Sequence, residues 1–183
     1  MNLLSAIKLE NAWILVVPVW LTGIIIASTN RKGMKRAADM SWYTARDRIT
    51  SFAAMFCMIA FMAISVFIRM DFHSPWFFAG LIMSLTGFAA NIAAKLSYAN
   101  AVQGHAITGG IYRYSRNPMY ASFSLVMLGA AVAARSLLLL GIWIIMAVCT
   151  HLLITGEERY CLTTYGDSYR DYRKKTPRYF FFF

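Results

Sequence analysis

Two short segments of this sequence hold the side chains best suited to chemistry. The first runs from Gly104 to Tyr120 and combines glycines, a histidine, tyrosines and an Asn-Pro-Met-Tyr turn. The second runs from Glu157 to Tyr172, and it begins with two adjacent glutamates and continues with spaced tyrosines. Glycines let a backbone approach a ligand closely, and a pair of carboxylates attracts positive charge. Both segments are therefore candidates for a binding site.

The acidic pair follows directly on the last apolar stretch, so Glu157 and Glu158 are predicted at the C-terminus of a helix. The helix dipole disfavours negative charge at that end. A compensating cation is therefore expected, and it can come from Arg159, from nearby basic loops or from a cationic ligand. The tyrosines at positions 165, 169 and 172 share one helical face, which predicts an interfacial helix on an anionic leaflet.

The composition indicates an integral membrane protein. Of the 183 residues, 59% are hydrophobic and 14% are charged, against about 45–50% and ~25% in soluble domains. Disordered and coiled-coil proteins are excluded. The net charge of +10 lies between apolar runs, which favours an anionic membrane surface over nucleic acid as its partner. The three cysteines and three histidines form no metal-ligand pattern, so we expect no bound metal.

Five uncharged windows predict five transmembrane helices, because about 20 apolar residues cross the ~30 Å hydrocarbon core. The windows are Asn11–Asn30, Ile49–Ile68, Ser74–Ala94, Pro118–Ala134 and Ser136–Gly156. The last two are separated by Arg135 alone, which predicts a tight antiparallel hairpin. The predicted fold is an all-α, polytopic membrane protein that forms a single domain over residues 1–183, with the motifs in residues 76–178.

The distribution of basic residues predicts the orientation of the chain. With five spans, 15 of the 18 lysines and arginines fall on one side, and Lys8, Arg69 and Arg135 remain on the other. The positive-inside rule then places the N-terminus outside and the C-terminus in the cytoplasm. We expect an inner or plasma membrane location in which both candidate segments face the cytoplasm.

The third window carries a stripe of small residues at spacings of three and four. Its members are Gly80, Ser84, Gly87, Asn91 and Ala94. Such a stripe is typical of close helix packing in lipid, which we favour over a groove wall for a ligand. Asn91 needs a polar partner there.

Taken together, the two segments resemble the superfamily of phospholipid methyltransferases and isoprenylcysteine carboxyl methyltransferases, which are small helical membrane enzymes. In that superfamily a Gly-x-Tyr-x-x-x-Arg-(His/Asn)-Pro-x-Tyr segment precedes a helical hairpin. An acidic pair and a Tyr-Gly-x-x-Tyr-x-x-Tyr tail follow the hairpin. Here Gly110 to Tyr120 and Glu157 to Tyr172 occupy these places.

The resemblance implies S-adenosylmethionine as cofactor and assigns residues to it. The implied cofactor-binding residues are His105, Ala106, Ile107, Thr108, Tyr112, Asn117, Pro118, Met119, Tyr120, Glu157 and Glu158. Arg116 is implied to orient the loop or an acceptor's phosphate or carboxylate, and Glu158 to take a proton from an amine acceptor, so both are candidate catalytic residues.

The acceptor implied by the resemblance is an amphipathic lipid that enters from the bilayer. Asn117-Pro118-Met119-Tyr120 favours a phospholipid amine, and an isoprenylcysteine-type carboxylate is the alternative. Two further hypotheses stay open: an NADPH-dependent membrane reductase of the sterol-reductase type, and a small non-enzymatic transporter or assembly subunit.

Overall fold

A computed structural model describes residues 8–31, 39–102 and 104–180 of the protein. Within these ranges the regular elements are helical, and an isolated antiparallel bridge joins Asn11 to Arg69. The elements are α1 (Trp13–Thr29), α2 (Ala45–Ser65), α3 (Pro75–Ala99), a short 3-10 helix (Gly110–Arg113), α4 (Pro118–Ala133) and α5 (Leu137–Lys175). The prediction of an all-α fold is confirmed for this part of the chain.

Each of the five uncharged windows overlaps one of these helices, and α2, α3 and α5 extend beyond their windows. The helices α2, α3 and α5 are long and apolar enough to cross a membrane, whereas α1 has 17 residues and α4 has 16. Since crossing takes about 20 residues, spanning length is shown for three helices among the described residues. Five complete spans, and the orientation of the termini, stay predictions.

The start of α1 is tied to the end of α2. The amide of Ala12 donates to the carbonyl of Ile68 at 2.9 Å, and the Asn11 side chain donates to the carbonyl of Val66 at 2.6 Å. These bonds satisfy backbone groups at two helix termini, which would otherwise lack partners. The two helices therefore run antiparallel.

The opposite end of the bundle contains Asn30, Asn100, Asp47, Tyr120 and Glu157, and we call it the polar end. There Asn30 and Asn100, which follow α1 and α3, are joined by a side-chain hydrogen bond of 3.0 Å. Asp47 near the start of α2 contacts α5, and Tyr120 near the start of α4 bonds to Glu157 of α5. The helices therefore alternate in direction along the chain, and both candidate segments meet at one end.

The stripe of small residues on α3 packs against α4, as the sequence predicts. The Ser84 hydroxyl donates to the carbonyl of Val126 at 3.2 Å. The Asn91 amide donates to the carbonyl of Met119 and to the hydroxyl of Ser122, both at 3.1 Å. The side-chain nitrogen of Asn91 thus has polar partners on α4, whereas its Oδ1 atom is buried without a hydrogen-bond partner among the described residues. This interface fixes the α4 N-terminus, which carries the Asn-Pro-Met-Tyr turn.

The helix α5 corrects one prediction. It runs for 39 residues to Lys175 and is interrupted at Gly166, whose backbone has φ of +56° and ψ of −129°. The acidic pair therefore does not lie at a helix C-terminus, and the helix-dipole penalty expected there does not apply. Of the three tyrosines in the predicted interfacial helix, Tyr169 and Tyr172 lie in the part of α5 that follows Gly166, whereas Tyr165 precedes it; contact with a leaflet stays a prediction. Glycine suits this position because it adopts positive φ without steric cost.

The contact of α3 with α4 generates the first testable prediction. A Cβ atom at Gly80 would overlap the carbonyl oxygen of Gly129 and the amide nitrogen of Ala133, which are backbone atoms. Gly80→Ala should therefore force the two helices apart, at the cost of about 1–3 kcal/mol that overpacking typically incurs. Thermal melting in detergent should show a clearly lower transition temperature.

Gly141→Ala on α5 is the matched control, because a Cβ atom there meets no atom within 4 Å. It should melt at or slightly above the parent's temperature. Equal melting of the two variants would contradict close packing at Gly80.

Candidate active site

The polar end is organised around the buried carboxylate of Glu158, whose residue is 4% exposed. Arg116 donates from Nε to Glu158 Oε1 at 3.0 Å. Arg178 donates from Nη2 to Oε2 at 2.8 Å and from Nε to Oε1 at 3.2 Å. A buried charge is tolerated only when it is paired and hydrogen-bonded. The two guanidinium groups meet that requirement.

Arg116 also binds the segment that follows α5. Its Nη1 atom donates to the carbonyls of Arg173 at 3.0 Å and of Thr176 at 2.6 Å, and its backbone amide donates to Pro177 at 2.9 Å. The residue is 6% exposed. Arg116 thus links the loop before α4 to Glu158 and to the segment that follows α5.

Further hydrogen bonds join the loop before α4 to α5 and to the segment that follows α5. The Asn117 amide donates to Glu158 Oε1 at 3.2 Å, and the Ser115 hydroxyl donates to the carbonyl of Arg178 at 3.0 Å. Hydrogen bonding to Glu158 raises the pKa of Arg178. The carboxylate of Glu158 therefore stabilises the charged form of the Arg178 guanidinium.

Glu157, the neighbour of Glu158, has a different environment. Its Oε1 atom accepts a hydrogen bond from the Tyr120 hydroxyl at 2.5 Å. Among the ion pairs of the described residues, none includes Glu157, whereas Glu158 takes part in two. Consecutive helical residues point about 100° apart, since a turn holds 3.6 residues. The two glutamates therefore face different surroundings.

Two tyrosines that the sequence did not single out lie near Tyr120 and Glu157. Burial raises the pKa of the Tyr43 phenol, and the charges of Glu157 and Asp47 raise it further. Tyr98, at the end of α3, is within electrostatic range of Tyr120. Neither residue belongs to a motif, because tertiary packing brings them to the site. Glu157 is thus bonded to the Tyr120 phenol, and its charge also acts on the Tyr43 phenol.

Asp47 joins α2 to the same part of α5. Its carboxylate accepts from Arg159 Nη2 at 2.6 Å and from the Thr44 amide at 2.9 Å. A Cβ atom at Gly156 would overlap the Asp47 carboxylate, so glycine permits this approach. Arg159 therefore pairs with Asp47, and the expectation that it compensates the acidic pair is wrong.

The loop residues His105–Thr108 lie elsewhere at the polar end. They line an open groove of about 550 Å³ together with the end of α3 and the glycines that precede the 3-10 helix. The lining residues are Ser97, Asn100, Ala101, Val102, His105, Ala106, Ile107, Thr108, Gly109 and Gly110. Neither the acidic pair nor the turn from Asn117 to Tyr120 lines this groove.

The structure thus places the other predicted site residues in different surroundings. Arg116, Asn117 and Glu158 form the buried ion-pair network. The Tyr120 hydroxyl and the Glu157 carboxylate form a separate hydrogen-bonded pair. Pro118 is the first residue of α4, as predicted. The carbonyl of Met119 accepts a hydrogen bond from the Asn91 amide of α3.

Tyr112, another predicted cofactor residue, belongs to the contact between the loop and the last part of α5. Its side chain is buried, and its carbonyl accepts from the Tyr172 hydroxyl at 2.6 Å. The Tyr172 hydroxyl therefore fixes the 3-10 helix that bears Tyr112.

The Arg116 network yields a prediction on stability. Arg116→Gln removes one guanidinium from the buried carboxylate of Glu158 and leaves two carbonyls without their donor. Breaking a buried ion pair costs about 3–5 kcal/mol, and we expect about 3 kcal/mol because Arg178 continues to pair. Chemical unfolding in detergent measures this loss.

Arg170→Gln is the control, since Arg170 forms an exposed pair with Asp167, and exposed pairs contribute less than about 1 kcal/mol. An Arg116→Gln variant as stable as this control would show that the network does not hold the loop.

Comparison with known proteins gives the chain its family. The phospholipid methyltransferase family matches residues 72–168, which are 97 of the 183 residues. The chain is also 37% identical over 78 residues to the protein-S-isoprenylcysteine O-methyltransferase of Schizosaccharomyces pombe. That match covers 39% of this chain and 30% of the relative's length. No solved structure matches the chain. The chain is an integral membrane protein that belongs to the phospholipid methyltransferase family.

Proposed function

We propose that the protein is an S-adenosylmethionine-dependent methyltransferase whose acceptor is an amphipathic, lipid-like molecule. One observation carries this proposal. Of the two adjacent glutamates, Glu158 is neutralised by two arginines, whereas Glu157 bonds to the Tyr120 phenol and has no cationic partner among the described residues. A half-buried carboxylate without a cation is suited to bind a cationic ligand.

The groups around Glu157 fit S-adenosylmethionine. The cofactor carries an ammonium and a sulfonium. The groups at Glu157 are its carboxylate, the Tyr120 phenol bonded to it, and the Tyr43 phenol on which its charge acts. Carboxylates and aromatic faces attract such cations most strongly in surroundings of low dielectric constant. When bound, the cofactor supplies a methyl group already activated by the positive sulfur.

The remaining predicted residues receive distinct roles in this proposal. Glu157 binds the cationic end of the cofactor, and Tyr120 holds the Glu157 carboxylate in place. The groove at His105–Thr108 accommodates the nucleoside part; its volume of about 550 Å³ lies in the range of small-molecule sites, roughly 300–1,000 Å³. Both groups of residues lie at the polar end.

For Arg116 and Glu158 we propose positioning in place of catalysis. Two guanidinium groups stabilise the charged form of Glu158, and an opposite charge nearby makes a carboxylate a weaker base. A proton on an amine acceptor is therefore not transferred to Glu158. The pair instead fixes the loop that ends in the Asn-Pro-Met-Tyr turn.

The acceptor is proposed to reach the site from the bilayer, with the polar end in the cytoplasm. The family match names phospholipids, and the relative from Schizosaccharomyces pombe is named for isoprenylcysteine. Both are amphipathic. The 15 basic residues predicted on one side include those of the polar end, which supports the cytoplasmic placement.

The contrast between the two glutamates gives the test of the cofactor proposal. Glu157→Gln removes a charge, keeps the volume and leaves an oxygen to accept from Tyr120. Because hydrogen bonds to charged groups contribute about 1.5–3 kcal/mol, affinity for S-adenosylhomocysteine should fall roughly 10- to 150-fold. The melting temperature without ligand should stay close to the parent's. Titration calorimetry and thermal melting provide the two readouts.

Glu158→Gln is the matched comparison and should behave in the opposite way. It leaves the buried Arg116 and the half-buried Arg178 without their carboxylate, so the ligand-free protein should melt at a lower temperature. If Glu157→Gln were destabilised and bound S-adenosylhomocysteine like the parent, Glu157 would be a structural residue and the cofactor proposal would fail.

The acceptor class can be determined from the chemistry of the product. Purified protein is incubated with methyl-labelled S-adenosylmethionine and either phosphatidylethanolamine or N-acetyl-S-farnesylcysteine. We expect base-stable label in the phospholipid, as an N-methyl group. Base-labile label that is released as methanol would instead identify a carboxyl ester and the isoprenylcysteine alternative. Absence of label from both lipids and from total membrane lipid would contradict the proposal.

A further inference from the structure

The chain that leads into α2 brings two consecutive aromatic side chains to the polar end. We call residues 39–44 the entry segment; it lies before residue 72, where the family match begins. It turns tightly, since the amide of Tyr43 donates to the carbonyl of Met40 at 3.2 Å. The rings of Trp42 and Tyr43 follow this turn with their centroids 4.3 Å apart. The direction of these rings is therefore set by a local hydrogen bond and by what the segment packs against.

Two contacts fix the entry segment against the turn of α5 that bears Glu157. The Trp42 ring stacks on Tyr160, with centroids 5.2 Å apart and planes 15° from parallel. In the first turn of α2, the buried Asp47 pairs with Arg159 at 2.6 Å. Because Tyr160 follows Glu157 by three residues, the two lie on the same face of α5. The entry segment thus packs beside the Glu157 carboxylate.

Tyr43 is half-buried at this contact. Burial raises the pKa of its phenol, a hydrogen bond with Ser51 of α2 lowers it, and the charge of Glu157 raises it. The Tyr43 and Tyr120 phenols also interact electrostatically. Glu157 is therefore approached by one tyrosine from the α2 side and by another, which bonds to it, from α4.

The ring of Tyr43 is the part of this side chain that a ligand can use. Its oxygen is engaged by Ser51, and the Tyr120 hydroxyl is engaged by Glu157. Among the ion pairs of the described residues none includes Glu157, so a cation bound to this carboxylate comes from outside. A cation within about 6 Å of an aromatic centroid is attracted by the ring face, most strongly where water is excluded.

We propose that the entry segment completes the cofactor site and that the ring of Tyr43 binds the cationic end of the cofactor beside Glu157. The inference rests on the proposed cofactor function and adds a binding residue from outside the family match. The Trp42 stack and the Asp47 ion pair hold the ring in place before the ligand arrives. Such preorganisation reduces the entropy that binding costs.

The test measures binding of S-adenosylhomocysteine, which carries the same ammonium as the cofactor. Tyr43→Leu removes the ring and should weaken binding roughly 5- to 30-fold, as expected for a cation–aromatic contact shielded from water. Tyr43→Phe keeps the ring and should bind like the parent. Tyr114→Leu is the control, because Tyr114 is an exposed tyrosine at the polar end, and it should also bind like the parent.

The deamino analogue of S-adenosylhomocysteine separates contact with the cation from support of the local structure. The analogue lacks the ammonium, so Tyr43→Leu should weaken its binding much less than it weakens binding of S-adenosylhomocysteine. Retained binding of the analogue also shows that the variant is folded. Tyr43→Met, which has a longer and more flexible side chain, provides the same comparison if Tyr43→Leu does not fold.

Three outcomes overturn the proposal: Tyr43→Leu binds S-adenosylhomocysteine like the parent, it loses equal affinity for both ligands, or Tyr43→Phe binds as weakly as Tyr43→Leu. Glu157→Gln separates this inference from the proposed function. If Glu157→Gln weakens binding and Tyr43→Leu does not, the cofactor proposal stands and the inference fails. A parent that does not bind S-adenosylhomocysteine contradicts the cofactor proposal itself.

Discussion

The polar end of the molecule depends on one physical constraint, which is that the buried carboxylate of Glu158 must be neutralised. Arg116 and Arg178 supply the charge from two segments that are far apart in sequence, one before α4 and one after α5. Since a buried unpaired charge is costly, these segments cannot separate from α5 independently. The ion pairs thus hold the loop and its Asn-Pro-Met-Tyr turn against α5.

This constraint gives the neighbouring glutamate its distinct role. Glu157 faces Tyr120, and no arginine or lysine in the described ranges pairs with it. Because Glu158 is fully engaged by the protein, the helix around it is held in a fixed position and Glu157 has a defined direction. Rigid placement of a carboxylate is what binding of a cation requires, since a preorganised site loses little entropy when its ligand binds. A structural carboxylate and a ligand-binding carboxylate are therefore consecutive in the sequence.

Most helices and part of the candidate site could be predicted from the sequence, whereas the partners of the site residues depend on tertiary contacts. Hydrophobic windows predicted where the five helices lie, and the small residues of α3 predicted close packing against another helix, because both patterns are local. Only the fold shows that α4 is the partner. The predicted end of α5 was too early, because the helix continues past its apolar stretch through a charged stretch to Lys175. Motifs indicated Arg116 and Glu158. The partners Arg178, Asp47 and Tyr43 lie outside any motif, and only the fold brings them to α5.

The central claim is that the Glu157 carboxylate binds the positively charged end of S-adenosylmethionine. A double-mutant cycle tests it directly, with S-adenosylhomocysteine and its deamino analogue titrated into the parent and into Glu157→Gln. For the parent, loss of the ligand's ammonium should weaken binding roughly 10-fold or more. In the variant the same loss should have little effect, because the interaction is already absent. An equal loss of affinity in both proteins would contradict the claim.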